Sequence, residues 1–485
     1  MAYSTTSKQS LHFKTKLYSG TGSSNAITGL DFQPDFTWVK RYDSGTNNHR
    51  LANAVTGASE VHSSNIANVG PDSSYFSSFN SDGFTVGTAA DPNASGGSYV
   101  SWNWLAGGTA PTKTYKVVVV SDGGNKYRFR NSTDTATFGA SAQTLDLQEG
   151  GTYTFDVSDS TMSSHPFVIG TAANGTEYST GVTYKLDNVT KTYSQYTSGF
   201  SAATSRQLII TVAASAPALY YWCSVHSGMG GAINTNTTFG SSNFDGTIKC
   251  TVSHNSATGF SIARYVGTGS GGATIGHELG VKPHFMMFKN LDANVDWRVW
   301  HHQINGSGSL GDGTRTYRLN NDDYWNTDNS ILNDTAPTTS VATLGSSTMV
   351  NASGQIHVAY FFVSKPGFSK FGKYWGNFET DGPFIYTGFK PSFVMVKKEG
   401  ATGPWRMFDT VRADGVNPAD KWLDANTNSG GVGSTDVQGN LLSNGFKLRD
   451  QANAFNTNDT QYVYISFGQT IVGGSSTQNI PATAR

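Results

Sequence analysis

Pro34-Asp35-Phe36-Thr37-Trp38-Val39-Lys40, Pro283-His284-Phe285-Met286-Met287-Phe288-Lys289 and Pro391-Ser392-Phe393-Val394-Met395-Val396-Lys397 are three readings of one pattern. Each runs Pro, one residue, Phe, two residues, an apolar residue, Lys. A proline can open a strand where no ladder N–H is needed. The Phe and the later apolar residue lie three apart, so alternation alone does not put them on one face. The run is instead almost continuously apolar, as in a strand covered on both sides.

The repetition extends outward from this stretch. Tyr-initiated turns precede it at 18–22, 265–269 and 386–388. Trp297-Arg298-Val299-Trp300 and Trp405-Arg406-Met407-Phe408 follow at equal distance from their lysines, with His49-Arg50-Leu51 a weaker counterpart in the first copy. Turn-then-strand signals occur at 80–84 and 443–446, and the second copy lacks one. Each copy closes on an aromatic-rich strand, at 99–104, 357–362 and 462–467. Several separated matches in one order predict three copies of one β-sandwich of about 100 residues each.

Composition agrees with an all-β chain. The 485 residues include 55 glycines, and only 14% are charged. Short alternating runs at 36–39, 153–157 and 462–467 dominate, and no stretch carries a helical period. The net charge of −1 shows no basic cluster, which argues against nucleic acid or an anionic membrane as partner. No apolar run is long enough to span a bilayer, and residues 1–10 lack a signal-peptide core. With only Cys223 and Cys250, a disulfide framework is excluded. The expected units are 1–110, 111–235, 236–368 and 369–485, the last ending in a loosely ordered tail from Gly473.

The repeated unit resembles a lectin-like, concanavalin/SPRY-type sandwich module found in tail-fibre and structural proteins of marine tailed phages. The segments 18–40, 369–400 and 441–450 carry the resemblance. It implies tandem jelly-roll-like sandwiches in a non-enzymatic virion protein, a tail fibre or appendage contributing to recognition of host-surface polysaccharide. It further implies other virion proteins as partners and, by analogy with fibres, a homo-oligomer such as a trimer. The alternatives are a capsid decoration or head-fibre protein and a copper-binding redox module.

Residues 113–233 lack the repeat. Strand-like runs at 115–120, 125–129, 151–157, 207–212 and 219–222 predict a further sandwich. Near its end, Cys223-Ser224-Val225-His226-Ser227-Gly228-Met229 follows an apolar strand, and His165 stands upstream before Pro166-Phe167. Two imidazoles and a thiolate with a weak thioether form the ligand set of blue-copper sites. This stretch resembles a Greek-key cupredoxin with a short ligand loop of the amicyanin type. The resemblance makes His165, Cys223 and His226 equatorial ligands of copper and Met229 the axial one. Pro166 departs from the asparagine that many relatives use to fasten the ligand loops.

Other candidates have plainer readings beside the functional ones. Trp297, Trp300, Trp405, Tyr374 and Trp375 could stack on sugar rings, or fill sandwich cores, the commoner fate of such residues. Arg298 and Arg406 are expected to pair with carboxylates inside their modules. Asp322, Asp323 and Asp82 could suggest a glycosidase pair or a calcium loop, but a glycosidase needs two carboxylates facing across a cleft. Asp-Gly at a turn already accounts for Asp82. His301-His302 reads as a solvated strand edge. No nucleophile elbow or metalloprotease helix occurs, and no catalytic residue is assigned.

Overall fold

The computed structural model describes residues 9–43, 47–64, 68–107, 110–235, 239–306, 308–413, 417–430, 439–469, 472–473 and 480–481. The chain is all-β, built from tandem sandwiches. Most of the tail expected to be loose lies outside the described residues. Within it, Val472–Gly473 pairs with Ile480–Pro481.

Each repeat supplies one main sheet with a common order. In the first, Phe13–Ser19 pairs with Ser98–Trp104, which pairs with the motif strand Phe36–Arg41, and Arg50–Asn53 and Gly57–Ser63 follow. In the second, the corresponding strands are Phe260–Val266, Ile356–Phe362, Phe285–Asn290, Arg298–His301 and Arg315–Arg318. In the third they are Ser369–Trp375, Gln461–Gln469, Lys390–Lys398, Arg406–Asp409 and Trp422–Asp424. A smaller sheet covers each main sheet. It has three strands in the first and third modules and two in the second. The missing strand matches the missing turn signal: where hairpins close at Asn80↔Gly83 and Leu442↔Gly445, the second module has the short helix Asn329–Leu332.

The alignment of the third copy needs one correction. Tyr374 pairs with Tyr462 as Tyr18 pairs with Tyr99 and Tyr265 with His357. The third Tyr turn is therefore Tyr374-Trp375-Gly376, not 386–388. In all three turns the Tyr hydroxyl donates to a carbonyl: Tyr18 to Pro92, Tyr265 to Val350 and Tyr374 to Phe455. The next residue after each acceptor is a buried asparagine. Asn93, Asn351 and Asn456 each accept a backbone N–H from the turn and donate to two carbonyls.

The motif strand is covered on both faces, and the two covers differ. In the first module Val39 and Tyr99 face the small sheet, with Phe84 and Val86. In the third, Val394, Val396, Tyr462 and Tyr464 do so. The alternate residues, Phe36, Trp38, Trp102, Trp104, Phe285, Met287, Phe362, Phe393, Met395, Ile465 and Phe467, belong to one cluster spanning all three modules. Rings meet directly across it: Phe36 and Tyr360 at 4.7 Å, Phe13 and Phe467 at 5.1 Å, Phe362 and Phe467 at 5.8 Å between centroids. A void of about 20 Å³ at the centre is walled by equivalent residues of each module. Apolar walls of this kind keep such a space dry. The modules thus share a core without sharing a sheet. The tandem sandwiches expected from the repeat close into a ring, because each main sheet has a second apolar face to bury.

The ring is closed by equivalent contacts. Arg50 pairs with Ser63, Arg298 with Arg318 and Arg406 with Asp424 in register. The residue before each arginine reaches the neighbouring module at that paired position. Trp297 Nε1 donates to the Ser63 carbonyl at 2.8 Å, and Trp405 Nε1 donates to the Arg318 carbonyl at 2.7 Å. His49 lies against the backbone of Asp424. The second module thereby holds the first, the third holds the second, and the first holds the third. The motif lysine sets each of these residues. Lys40, Lys289 and Lys397 are fully buried, and their ammonium groups donate to the carbonyls of Asn47, Val295 and Gly403, two residues before His49, Trp297 and Trp405.

Candidate metal centre

The intervening sandwich has a six-stranded sheet and a four-stranded one. Thr112–Ser121 pairs in parallel with Thr152–Asp156 and antiparallel with Asn125–Phe129. In the smaller sheet Leu219–Cys223 lies between Gly231–Asn234 and Phe167–Gly170. This sandwich has its own core, which includes Phe155, Phe167, Tyr221 and Phe244.

This pairing assembles the candidate ligands. Phe167 stands opposite Cys223 in register, so His165 emerges beside the end of the cysteine strand. Ser224 N–H donates to the Pro166 carbonyl at 3.1 Å and continues the ladder by one step. The chain then turns through His226 and returns into Gly231–Asn234. Two glycines permit so short a return. Gly228 has φ +72°, and a Cβ on Gly230 would lie 1.7 Å from the Tyr221 carbonyl oxygen.

His165 Nδ1 and His226 Nδ1 are 3.1 Å apart, and Cys223 Sγ lies 3.9 Å and 3.7 Å from them. A central ion with metal–nitrogen distances of about 2.0 Å and metal–sulfur of about 2.3 Å places its donors roughly 3.1–3.9 Å apart. The three atoms therefore sit as ligands of one ion sit. It is the one such group among the described residues. Cys223 and His165 are buried, while His226 is exposed. Burial, and then the neighbouring His226, lower the pKa of His165 and favour the neutral ring that a metal needs. Met229 is buried on the same loop at 1% exposure.

A further residue joins the two ligand segments. Tyr127 N–H donates to the Met229 carbonyl at 2.9 Å, and its hydroxyl donates to the His165 carbonyl at 2.9 Å. The same hydroxyl lies beside the Cys223 thiol. Tyr127 fastens the loops where Pro166 cannot. Asn125 Nδ2 lies 3.4 Å from His165 Nε2. The sequence reading missed both residues. They stand in an ordinary five-residue strand, and no spacing ties them to the ligands.

The other candidates divide. Trp297, Trp300 and Trp405 are buried, the first and last between modules, so they are corrected from sugar platforms to core residues. Tyr374 is buried as well, and Trp375 stands 57% exposed on a strand end. Arg406 pairs with Asp424 at 2.7 Å, and Arg298 lies 3.6 Å from Asp328 and donates to Asn326. Asp82 accepts the backbone N–H groups of Gly29 and Asp31, and Asp323 pairs with Arg318. His301 is fully buried and faces the Tyr464 carbonyl, while His302 is half-buried against Phe371, so the expected solvated edge is an interface between modules.

A family described as Domain of unknown function (DUF7483) matches residues 8–124 and 234–470. The chain belongs to this family. No curated protein and no solved structure matches the chain. The DUF7483 match covers the three-module ring and omits 125–233, which hold Tyr127 and all four candidate ligands. The candidate ligands therefore lie in the stretch that the family match omits.

Proposed function

We propose that this DUF7483 protein is a non-enzymatic structural component of a tailed-phage virion, an appendage of the tail-fibre kind that contributes to binding host-surface polysaccharide. The closed ring of three lectin-like sandwiches carries the proposal. It makes one body from a chain with few charges and leaves the module loops outside a common aromatic centre. Trp375 remains as the aromatic candidate for sugar contact. The carboxylates weighed for hydrolysis support a non-enzymatic reading, since Asp82 and Asp323 are engaged in turns and ion pairs. Labelling the protein on intact particles and imaging them by electron microscopy tests this. Label on the tail supports the appendage, label on the head supports the alternative of a decoration or head-fibre protein, and unlabelled particles reject a virion role. A glycan array with the native chain and Trp375→Ala tests polysaccharide binding.

A second reading concerns the inserted sandwich, which we propose binds one copper ion. The triangle of two imidazole nitrogens and a thiolate sulfur supports it, since that donor set suits copper in both oxidation states. His165, Cys223 and His226 would hold the ion, with Met229 as the weak fourth ligand. A bound ion would join two loop segments, so its binding energy would add to the stability of the fold. Cu(II) added to the purified chain should give a strong visible thiolate-to-copper band. Absence of a band, or a band that persists in Cys223→Ser, removes this reading.

A further inference from the structure

Where the second and third modules meet, an amine, a carboxamide and a buried carboxyl group converge. Lys373 lies on the strand Ser369–Trp375 of the third module, and its Nζ is 3.4 Å from Oδ1 of Asn305, in the second. The amide of Asn305 is held from its other end, since Nδ2 donates to Gln461 Oε1 at 2.8 Å. Glu399 is only 6% exposed. Its Oε1 accepts the backbone N–H of Asn305 at 2.6 Å, and its Oε2 is buried with no hydrogen-bond partner among the described residues. Lys373 and Arg315 are the cations that act on it. Burial outweighs them and raises its pKa, which makes the carboxylate a stronger base toward a neighbouring ammonium.

An isolated polar cluster of this kind would be an ordinary interface contact if its hydrogen bonds were all made. The unpartnered carboxyl oxygen beside an amine and an amide is what distinguishes it, because a buried acceptor without a donor is costly to keep. We propose that Lys373 and Asn305 become joined by an intramolecular isopeptide bond, with Glu399 relaying the protons.

The step balances without any further reagent. Glu399 takes a proton from the Lys373 ammonium and leaves a neutral amine. The Nζ lone pair adds to Cγ of Asn305, giving a tetrahedral carbon. Glu399 returns a proton to Nδ2 and takes one from Nζ. The Cγ–Nδ2 bond breaks, and ammonia departs, taking the proton left on Glu399 to become ammonium. Overall, a lysine ammonium and a carboxamide become a secondary amide and an ammonium ion, with no oxidation or reduction. Proximity supplies the driving advantage, since held reactants react as an effectively unimolecular pair. The product would tie the second module to the third covalently within the ring.

One competing reaction is built into the sequence. Gly306 follows Asn305, and its backbone nitrogen could attack the same carbon to give a succinimide, also with loss of ammonia. In the structure that N–H is occupied, donating to the Ser309 carbonyl at 3.0 Å. The test must therefore identify the bond and not only the mass.

Intact mass spectrometry of the denatured full-length chain after prolonged incubation should show a mass lower by one ammonia. Digestion should release a branched peptide joining Lys373 to Asn305. Lys373→Arg and Glu399→Gln should each restore the full mass and abolish the branched peptide, while circular dichroism confirms that they remain folded. A wild-type chain of full mass overturns the proposal. So does ammonia loss found as succinimide or aspartate at Asn305 without a branched peptide. A branched peptide still formed by Glu399→Gln at the wild-type rate removes the relay role.

Discussion

The indole nitrogen of Trp297 donates to the main-chain carbonyl of Ser63 across 2.8 Å, so a side chain that begins a strand in the second module is anchored in the first. The equivalent bond from Trp405 to Arg318 repeats the relationship one module further on. These contacts fix the order of the ring, because each runs in one direction only.

Trp297→Phe keeps the ring and loses the donor to the Ser63 carbonyl. We expect a loss of about 0.5–1.5 kcal/mol, the net worth of one hydrogen bond. Thermal unfolding of Trp297→Phe and Trp405→Phe should show similar falls in midpoint. Trp375→Ala, on an exposed side chain, should stay within about 0.5 kcal/mol of the native chain. Equal effects at all three positions would contradict the closed ring.

Asn351 binds the Thr268 N–H at 2.8 Å and the carbonyls of Ser270 and Gly345, each at 2.9 Å. Asn351→Ala breaks three hydrogen bonds of a buried side chain and should cost about 2–4 kcal/mol, at roughly 1 kcal/mol for each bond. Asn93→Ala should cost a similar amount, since it holds the same turn in the first module. Urea denaturation of both variants checks this.

Stability should rise from about pH 7 toward pH 10. Burial lowers the pKa of Lys40 and Lys289 to about 8 and that of Lys397 to about 7, against an ordinary value of 10.5. Between those values the folded chain has released protons that the unfolded chain keeps. The unfolded state binds more protons, so raising the pH favours folding. Above the ordinary tyrosine value of 10.0 the sign reverses, because burial raises the pKa of Tyr196 and Tyr464. Lys397→Met should flatten the rise between pH 7 and 10 in a denaturation series.

Below pH 6.5 the histidines act in the same direction. Burial lowers the pKa of His277 and of His284 to about 4, and His301 is held well below its ordinary value by burial and the adjacent His302. Between pH 6.5 and 4 the unfolded chain gains protons that the folded chain refuses, so stability falls with acidification. Because His301 faces Tyr464 and His302 faces Phe371, hydrogen exchange at pH 5 should loosen the contact between the second and third modules first. Uniform loosening of the whole chain would argue against these two residues.

Tyr127→Phe removes a hydroxyl that binds the His165 carbonyl and leaves the ring in place. If the centre binds copper, the variant should hold it about 10–100-fold more weakly, the usual effect of losing a group behind a ligand. Its visible band should also shift or broaden, which a purely structural defect would not produce. Copper titration followed by absorbance measures both.

The strand pattern, the triplication and the grouping of the candidate ligands were legible because each is local. An apolar run between turns announces a strand whatever surrounds it, and Cys223, His226 and Met229 occupy one short loop. The motif lysines were visible as letters, but their role was not. Lys40, Lys289 and Lys397 only close the repeated pattern, and the folded hairpin alone brings a carbonyl six or seven residues later onto the ammonium. The false match at 386–388 arose because a Tyr-Thr-Gly triplet imitates the turn in composition, whereas register with the closing strand selects Tyr374.

By itself the sequence determined that the chain is all-β, that one pattern recurs three times around an unrelated insert, and which residues could ligate a metal. These depend on residue type and spacing, which neighbouring peptide units impose. The nearly continuous apolar runs also announced that both faces of each motif strand are covered, and the tertiary structure decided what covers them, one face against its own module and the other against two more. That choice depends on contacts between residues hundreds of positions apart, such as Trp297 with Ser63 and Phe13 with Phe467, and no short-range pattern encodes which apolar face meets which.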